Sequence, residues 1–320
     1  MMPPTLVEMR DALAVIRRYL PSQTPLVFAP ALSEFLGADI WLKWEFSNPI
    51  GAFKLRGGLN LMASLAADGC KAVVTASTGN HGQSIAYAAE LFDIPATIFL
   101  PENGNPDKAA SIERFGAKLQ YVGANFDACR DAAIEYSNKF HGRYIHPANE
   151  PKLISGVGTA ALEIFEKDGQ LEGVDLVIVP VGGGSGVCGW ILARDELSAS
   201  TKIWGIQSAQ SSAAYESWIS GKLVARPNLT TSEGLSTGDG YSLTQEIMRN
   251  GLDDFILADD SEIDDAVGVM LETQHVLLEP AGAAALAAAI RAKEKIKSQR
   301  VVLVCSGSNI SRAQLKKIIN

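Results

Sequence analysis

From Lys71 onward the chain alternates short β-branched runs with stretches whose apolar residues recur at helical spacing. The strand-like runs are AVVTA (72–76), ATIFL (96–100), KLQYV (118–122), LVIVPV (176–181), KIWGI (202–206) and VVLVC (301–305). Helical patterns fill the gaps at 80–91, 107–115, 126–139, 153–167, 186–197 and 261–274, several of them opened by Ser, Asp or Asn as a capping residue. This rhythm predicts an α/β fold in which mostly parallel sheets carry helices on both faces, one sheet central and one smaller. A nearly continuous apolar run such as LVIVPV belongs to a strand buried on both faces, whereas DIWLKW (39–44) alternates and predicts a half-exposed strand. The first residues predict an amphipathic helix, and the Ala-rich run 280–290 predicts a helix packed closely inside the protein. Between 221 and 240 lies a connection rich in Gly, Ser, Thr and Pro. Long polar connections inside compact α/β units are often functional, which places this one near a cleft.

Composition narrows the picture. A chain of 320 residues, 47% hydrophobic and 20% charged, is long enough for two lobes that share a cleft. Its net charge is -8 and it holds no block of Lys or Arg, which argues against a nucleic-acid partner. The apolar run 280–290 is far shorter than the ~20 residues of a membrane span. Glu8, Arg10 and Asp11 interrupt the N-terminus before a signal peptide can develop, so a cytoplasmic protein is expected. Cys70, Cys129, Cys188 and Cys305 lie far apart and outside any metal-ligand spacing, which predicts reduced, mostly buried thiols and no metal.

Four segments carry candidate chemistry. In SNPIGAFKLRGG (47–58) a Pro/Gly turn opens a helix with Lys54 and Arg56 in its first turn. The helix dipole disfavours a cation there by ~0.3–1 kcal/mol and helps to lower a lysine pKa. A lysine that has lost its proton can attack an aldehyde or act as a base, although the segment alone favours a solvated surface lysine. TASTGNHGQS (75–84) follows a strand and opens a helix, so its backbone N–H groups, with the Ser77 and Thr78 hydroxyls, suit a carboxylate. A plain N-cap also accounts for it, and His81 reads as a hydrogen-bonded helix residue. PVGGGSGVCG (180–189) follows a buried strand, and its consecutive glycines let the backbone wrap a phosphate at a helix start. It also holds Gly184-x-Gly186-x-x-Gly189, the letters of a dinucleotide fingerprint, so an NAD-type oxidoreductase or nucleotide-binding protein is a rival reading. The next strand, however, ends in Gln207 where a ribose-binding acid is required, and the Gly-Lys-Ser/Thr ending of a Walker loop is absent. VVLVCSGSN (301–309) places Ser306 at the carboxyl end of a sheet, where open α/β sheets bind ligands.

In this order the four segments resemble the fold-type II pyridoxal 5'-phosphate (PLP) enzymes, the tryptophan synthase β-like family, and within it the serine/threonine dehydratase and serine racemase branch. HPANEPKLISGVGTAALEI, from His146, and LLEPAGAAALAA, from Leu277, resemble the same branch. The resemblance implies two open, mostly parallel twisted sheets flanked by helices, with the cofactor in the cleft between a large domain (1–50 and 149–320) and a small mobile domain (51–148). By the same resemblance Lys54 is the Schiff-base lysine, Phe53 packs near the cofactor ring, and Asn80 meets its phenolic oxygen. Ser77, Thr78, Gly79, Asn80 and His81 form the loop that grips the substrate carboxylate. Gly182, Gly183, Gly184, Ser185 and Gly186 form the phosphate loop, Ser306 meets the pyridine nitrogen, and Glu279 sits close to the ring. A neutral serine at that nitrogen makes the ring a weaker electron sink, which favours loss of a β-leaving group over lingering carbanion chemistry. The implied reaction is dehydration of L-threonine, L-serine or a related β-hydroxy amino acid to a 2-oxo acid and ammonia, by a homodimer. Thr78 stands where racemases carry a serine acid/base, so amino-acid racemisation is the nearest alternative. Ala52, Val157, Ser185 and Ser308 depart from the branch's usual residues, and Ala52, Val157 and the 221–240 loop are expected to alter the pocket. Gln207 replaces the acidic ligand of metal-activated relatives, which argues against divalent-cation activation. The sequence given ends at Asn320 with no regulatory domain, which points to a catabolic role.

Overall fold

The structure, a computed structural model, describes residues 1–102 and 104–319. Among the described residues ten strands form two sheets. Strands β1 (Leu26–Phe28), β2 (Asp39–Trp44), β7 (Leu176–Pro180), β8 (Lys202–Ser208), β9 (Asp254–Ala258) and β10 (Arg300–Cys305) make a six-stranded sheet in the order β1-β2-β10-β7-β8-β9. All neighbours in it are parallel except β1, which runs antiparallel to β2. Strands β3 (Val73–Ala76), β4 (Ala96–Leu100), β5 (Lys118–Tyr121) and β6 (Arg143–Tyr144) make a wholly parallel four-stranded sheet in the order β5-β4-β3-β6. The six β-branched runs read from the sequence all form strands, and the six helical patterns form helices whose ends shift by at most two residues. The structure adds short β1 and β6, strand β9, and the helices Ala213–Ser220 and Ser242–Gly251.

The apolar pattern explains the layering. Leu176, Val177, Ile178 and Val179 of β7 are all buried, as a strand covered on both faces requires. The Pro280–Arg291 helix is apolar on every side, and every residue from Ala281 to Ala289 is buried. Its small side chains let it lie close against β7, β9 and β10. Among the described residues no helix is long and apolar enough to cross a membrane. Cys129, Cys188 and Cys305 are buried, Cys70 is half-buried, and all four are free thiols.

One expectation is overturned. Strand β2 is not half-exposed: only Asp39 is exposed, and Lys43, the charge that makes the pattern alternate, is 0% exposed. The Lys43 amine donates to Glu163 Oε2 (2.6 Å), Gln170 Oε1 (2.6 Å) and Thr24 O (2.9 Å). Arg56 joins the same buried network, its guanidinium donating to both oxygens of Glu45 and both of Glu163 at 2.8–3.0 Å. Arg56 is therefore a matched buried cation that ties the Lys54–Ala67 helix to Glu45, just past the end of β2, and to the Pro151–Phe165 helix.

Candidate active site

A cavity of about 540 Å³ opens beyond the carboxyl ends of β3, β7 and β10, the position at which open parallel sheets present ligand sites. Its lining includes Lys54, Ser77, Thr78, Asn80, His81, Lys108, Gly183, Glu233, Tyr241, Glu279 and Ser306. The 221–240 connection lines the cavity from Ala225 to Asp239, as its composition predicts.

The turn before Lys54 is held by the end of β10. Ala52 bridges Gly307, and Phe53 N donates to Ser306 O at 3.0 Å. The helix then opens at Lys54 itself, with Phe53 as an N-cap that offers no side-chain oxygen. Lys54 Nζ donates to Ser185 Oγ (2.9 Å) and Pro147 O (3.2 Å), and lies 5.4 Å from the centre of the Phe53 ring. With no carboxylate beside it, withdrawal from water brings the amine down to about 8. Burial, more than the helix dipole argued from sequence, is the cause, and the solvated-lysine reading does not hold.

The glycine segment forms a cradle. Among the described residues the N–H groups from Gly182 to Gly186 meet no acceptor, at the start of the Ser185–Leu197 helix. Gly184 takes φ +95°, a conformation that other residues adopt at a cost, and Thr244 Oγ1 fixes the loop by donating to Gly183 O at 2.8 Å. The fingerprint letters have other uses here. Gly186 lies against the Phe53 ring, and a Cβ on Gly189 would come within 2.6 Å of Gly158 Cα, so that glycine allows two helices to cross. Gln207 lies inside β8, fully buried, with no carboxylate in its place. These positions leave the nucleotide rival without its ribose partner.

Elsewhere at the cavity, Asn80 Nδ2 donates to Glu279 Oε1 (2.6 Å) and Asn80 Oδ1 accepts from Asn309 Nδ2 (2.7 Å). Burial pushes the Glu279 carboxyl up, with Lys108 and Asn80 opposing. Ser306 faces the cavity while its hydroxyl donates to Ala281 O at 3.1 Å. Ser77 Oγ accepts from Gly79 N (3.3 Å) and Gly82 N (3.1 Å), whereas the N–H groups of Thr78, Asn80 and His81 meet no acceptor among the described residues. This is the exposed helix start expected of an anion site. His81 is a hydrogen-bonded helix residue as predicted, its Nε2 lying 3.2 Å from Thr75 Oγ1.

The structure brings Phe53, Lys54, Ser77, Thr78, Gly79, Asn80, His81, Gly183, Glu279 and Ser306 to one cavity. Ser185 turns its hydroxyl to Lys54. Ala52 and Val157 do not line this cavity: Ala52 is buried against Gly307, and Val157 packs against Gly57 on a buried helix. Sequence reasoning missed Asn309, although it lies in the quoted VVLVCSGSN, because an Asn two residues past a strand-end glycine reads as a turn. It also missed Lys108 and Glu233, which pair at 2.6 Å across the cavity from segments 125 residues apart. No local pattern signals that pair.

A model of the family described as pyridoxal-phosphate dependent enzyme matches residues 18–307. The chain is 34% identical to the L-threonine ammonia-lyase of Thermotoga maritima, over 99% of this chain and 78% of that protein. It is 32% identical to the L-threo-3-hydroxyaspartate ammonia-lyase of Saccharomyces cerevisiae, over 100% of this chain and 98% of the relative. The structure of maize serine racemase aligns with a TM-score of 0.89 at 30% identity, covering 98% of each chain. The residues present fit the group that the family name specifies. A lone amine of lowered pKa suits an aldehyde, free N–H groups at a helix start suit a phosphate, and Asn80 and Ser306 offer hydrogen bonds to a flat polar ring.

Proposed function

The chain belongs to the pyridoxal-phosphate dependent enzymes, and from that premise we propose that it is an ammonia-lyase converting L-threonine, L-serine or a related β-hydroxy amino acid to a 2-oxo acid and ammonia. The observation that carries this reading is Lys54, a half-buried amine held at about 8 in the same cavity as Ser306. When bound, the cofactor supplies an aldehyde for amines and a conjugated ring that withdraws electrons from the substrate α-carbon.

In this reading Lys54 holds the cofactor, and the free N–H groups of Gly182, Gly183, Gly184, Ser185 and Gly186 take its phosphate. Phe53, Asn80, Glu279 and Ser306 line the same cavity, so Asn80 would hydrogen-bond the phenolic oxygen and Ser306 the ring nitrogen, with Phe53 and Glu279 close to the ring. The loop from Ser77 to His81 binds the substrate carboxylate through backbone N–H groups. Lys54 would take the substrate α-proton at Nζ. Its lowered pKa keeps a useful fraction of free amine near neutral pH, and Ser185 Oγ and Pro147 O hold the nitrogen in place. Ser306 presents a neutral hydroxyl where a carboxylate would stabilise charge in the ring, so departure of the β-hydroxyl is favoured.

Thr78, whose hydroxyl lines the same cavity, supports a second reading as an amino-acid racemase. Its methyl group restricts χ1, which ranks dehydration first. The resemblance to this branch supports a cytoplasmic homodimer, and the buried neutral Gln207 supports activity without a divalent cation. The two sheets support a division into a unit of 51–148, which moves, and a unit of 1–50 with 149–320. Purified protein supplied with L-threonine or L-serine is expected to release 2-oxobutanoate or pyruvate. Absence of any oxo acid from a panel that includes bulkier β-hydroxy amino acids overturns the lyase reading, and chiral chromatography of residual serine measures racemisation.

A further inference from the structure

Tyr241 lies against the glycine loop. A Cβ on Gly183 would come within 3.2 Å of Tyr241 Cε2 and 2.9 Å of Ala148 Cβ, so the tyrosine ring touches the loop whose N–H groups meet no acceptor. Cε2 is two bonds from the phenolic oxygen, which puts the hydroxyl beside that loop. His146 meets the tyrosine ring edge-on, with centroids 4.8 Å apart and planes at 86°. His146 Nδ1 accepts from Ala148 N (3.0 Å) and Asn149 N (2.9 Å), which anchors the imidazole to the turn that also places Ala148 against Gly183. Burial first, then the charges of Lys54 and Arg130, brings this imidazole down to about 4, so it packs as a neutral ring. A fixed imidazole therefore holds the Tyr241 ring at the loop.

The hydroxyl itself has little to bind within the protein. Its one partner among the described residues is Thr237 Oγ1 at 3.4 Å, beyond the usual O–H···O range. Thr237 has a single proton and a shorter bond for it, to Asp239 O at 3.1 Å. The phenolic proton is left for a better acceptor. Thr237 and Asp239 line the same cavity as Tyr241, so the hydroxyl end of the side chain is at the cavity as well as the ring. Burial raises the phenol, and Asp239 and Asp127 add to it against Thr237 and Arg130, so the group keeps its proton and serves as a donor. The glycine loop has few other side-chain donors. It carries no Lys or Arg, its one hydroxyl, on Ser185, is engaged by Lys54, and Thr244 spends its proton on Gly183 O. We propose that Tyr241 is a cofactor-binding residue whose hydroxyl donates a hydrogen bond to the cofactor phosphate, adding a side-chain contact to the backbone N–H groups of Gly182–Gly186. The assignment rests on the reading of that loop as the phosphate site.

The test compares PLP with pyridoxal, which has the same ring and aldehyde but no phosphate. The full chain is stripped of cofactor and titrated with each compound, and affinity is read from the visible absorption that develops. Wild type is expected to bind PLP far more tightly than pyridoxal. Tyr241→Phe is expected to weaken PLP binding by about tenfold or more, the size of one hydrogen bond to a charged group, while pyridoxal binding stays within about twofold. An unchanged PLP affinity overturns the proposal and leaves the loop reading standing. An equal loss of PLP and pyridoxal also overturns it, because it marks the ring as a packing element alone. If wild type binds pyridoxal as tightly as PLP, the loop is not the phosphate site, and the reading beneath the proposal falls with it. Should Tyr241→Phe not fold, 3,5-difluorotyrosine placed at position 241 keeps the shape and makes the phenol more acidic. The PLP-to-pyridoxal affinity ratio must then drop below that of wild type as the fluorinated phenol ionises with rising pH, and a ratio that tracks wild type overturns the proposal.

Discussion

A lysine without a carboxylate beside it resists carrying its charge out of water, and Lys54 is in that position. Its folded pKa of about 8 lies below the ordinary 10.5, so in the cofactor-free protein it opposes folding wherever it is protonated in both states. The penalty, about 3 kcal/mol, is fully present below pH 8, fades between there and 10.5, and is absent above. Cofactor-free Lys54→Met is therefore expected to be more stable than wild type at pH 7 by urea unfolding, with the gap closing as the pH rises. A gap that does not change with pH excludes this account. In the loaded protein, Lys54→Ala should abolish both turnover and the visible absorption band. The segment around Lys54 was recognisable in the sequence, but its burial was not. The groups that enclose its amine, Pro147 and Ser185, lie 93 and 131 residues away. Whether a lysine is solvated is a property of such distant neighbours.

The helix that begins at Lys54 is anchored by the element contacts beneath it. Glu163 accepts from Lys43, Arg56 and Arg17 at once, joining the Pro151–Phe165 helix to β2 and to the first turn of the Lys54 helix. Burial raises the Glu163 carboxyl, but Arg56 and Lys43 outweigh it and hold it well below the usual carboxylate range. Its stabilisation is present above that usual range and is lost as the pH falls through the folded value. Glu163→Gln leaves two buried cations short of a partner and is expected to lose ~3–5 kcal/mol by chemical denaturation at pH 7. The difference from wild type should shrink on acidification. A loss below about 1 kcal/mol would show that the network relaxes or admits water. This network also explains why β2 misleads at the sequence level. Alternation of apolar residues with a lysine ordinarily marks a solvent face, and only the carboxylate 120 residues later reveals a buried one. The buried strands of the two sheets were legible because apolar runs on both faces need no partner to be recognised.

At the scale of the molecule, alternating strands and helices announced two parallel sheets, whereas the cross-cleft contacts had no sequence signal. Among the described residues two ion pairs join the 221–240 connection to distant helices. Lys108, from the helix after β4, meets Glu233 of the polar connection at 2.6 Å, and Arg130, from the helix after β5, meets Asp239 at 3.4 Å. The first is the stronger candidate to hold these segments together, because Lys108 is nearly buried, while the second is exposed enough to contribute ~0–1 kcal/mol. Glu233→Gln strips the buried Lys108 of its counter-charge, which favours an arrangement in which the amine reaches water. Both residues line the cavity, so KM for L-serine should rise several-fold with a smaller change in kcat. Salt provides the independent check, since pairs at a cleft edge are screened over ~10 Å at 0.1 M. Wild-type KM should climb with added NaCl toward that of Glu233→Gln, and the variant should respond less. Equal KM values at low salt would mean that this pair does not shape the site.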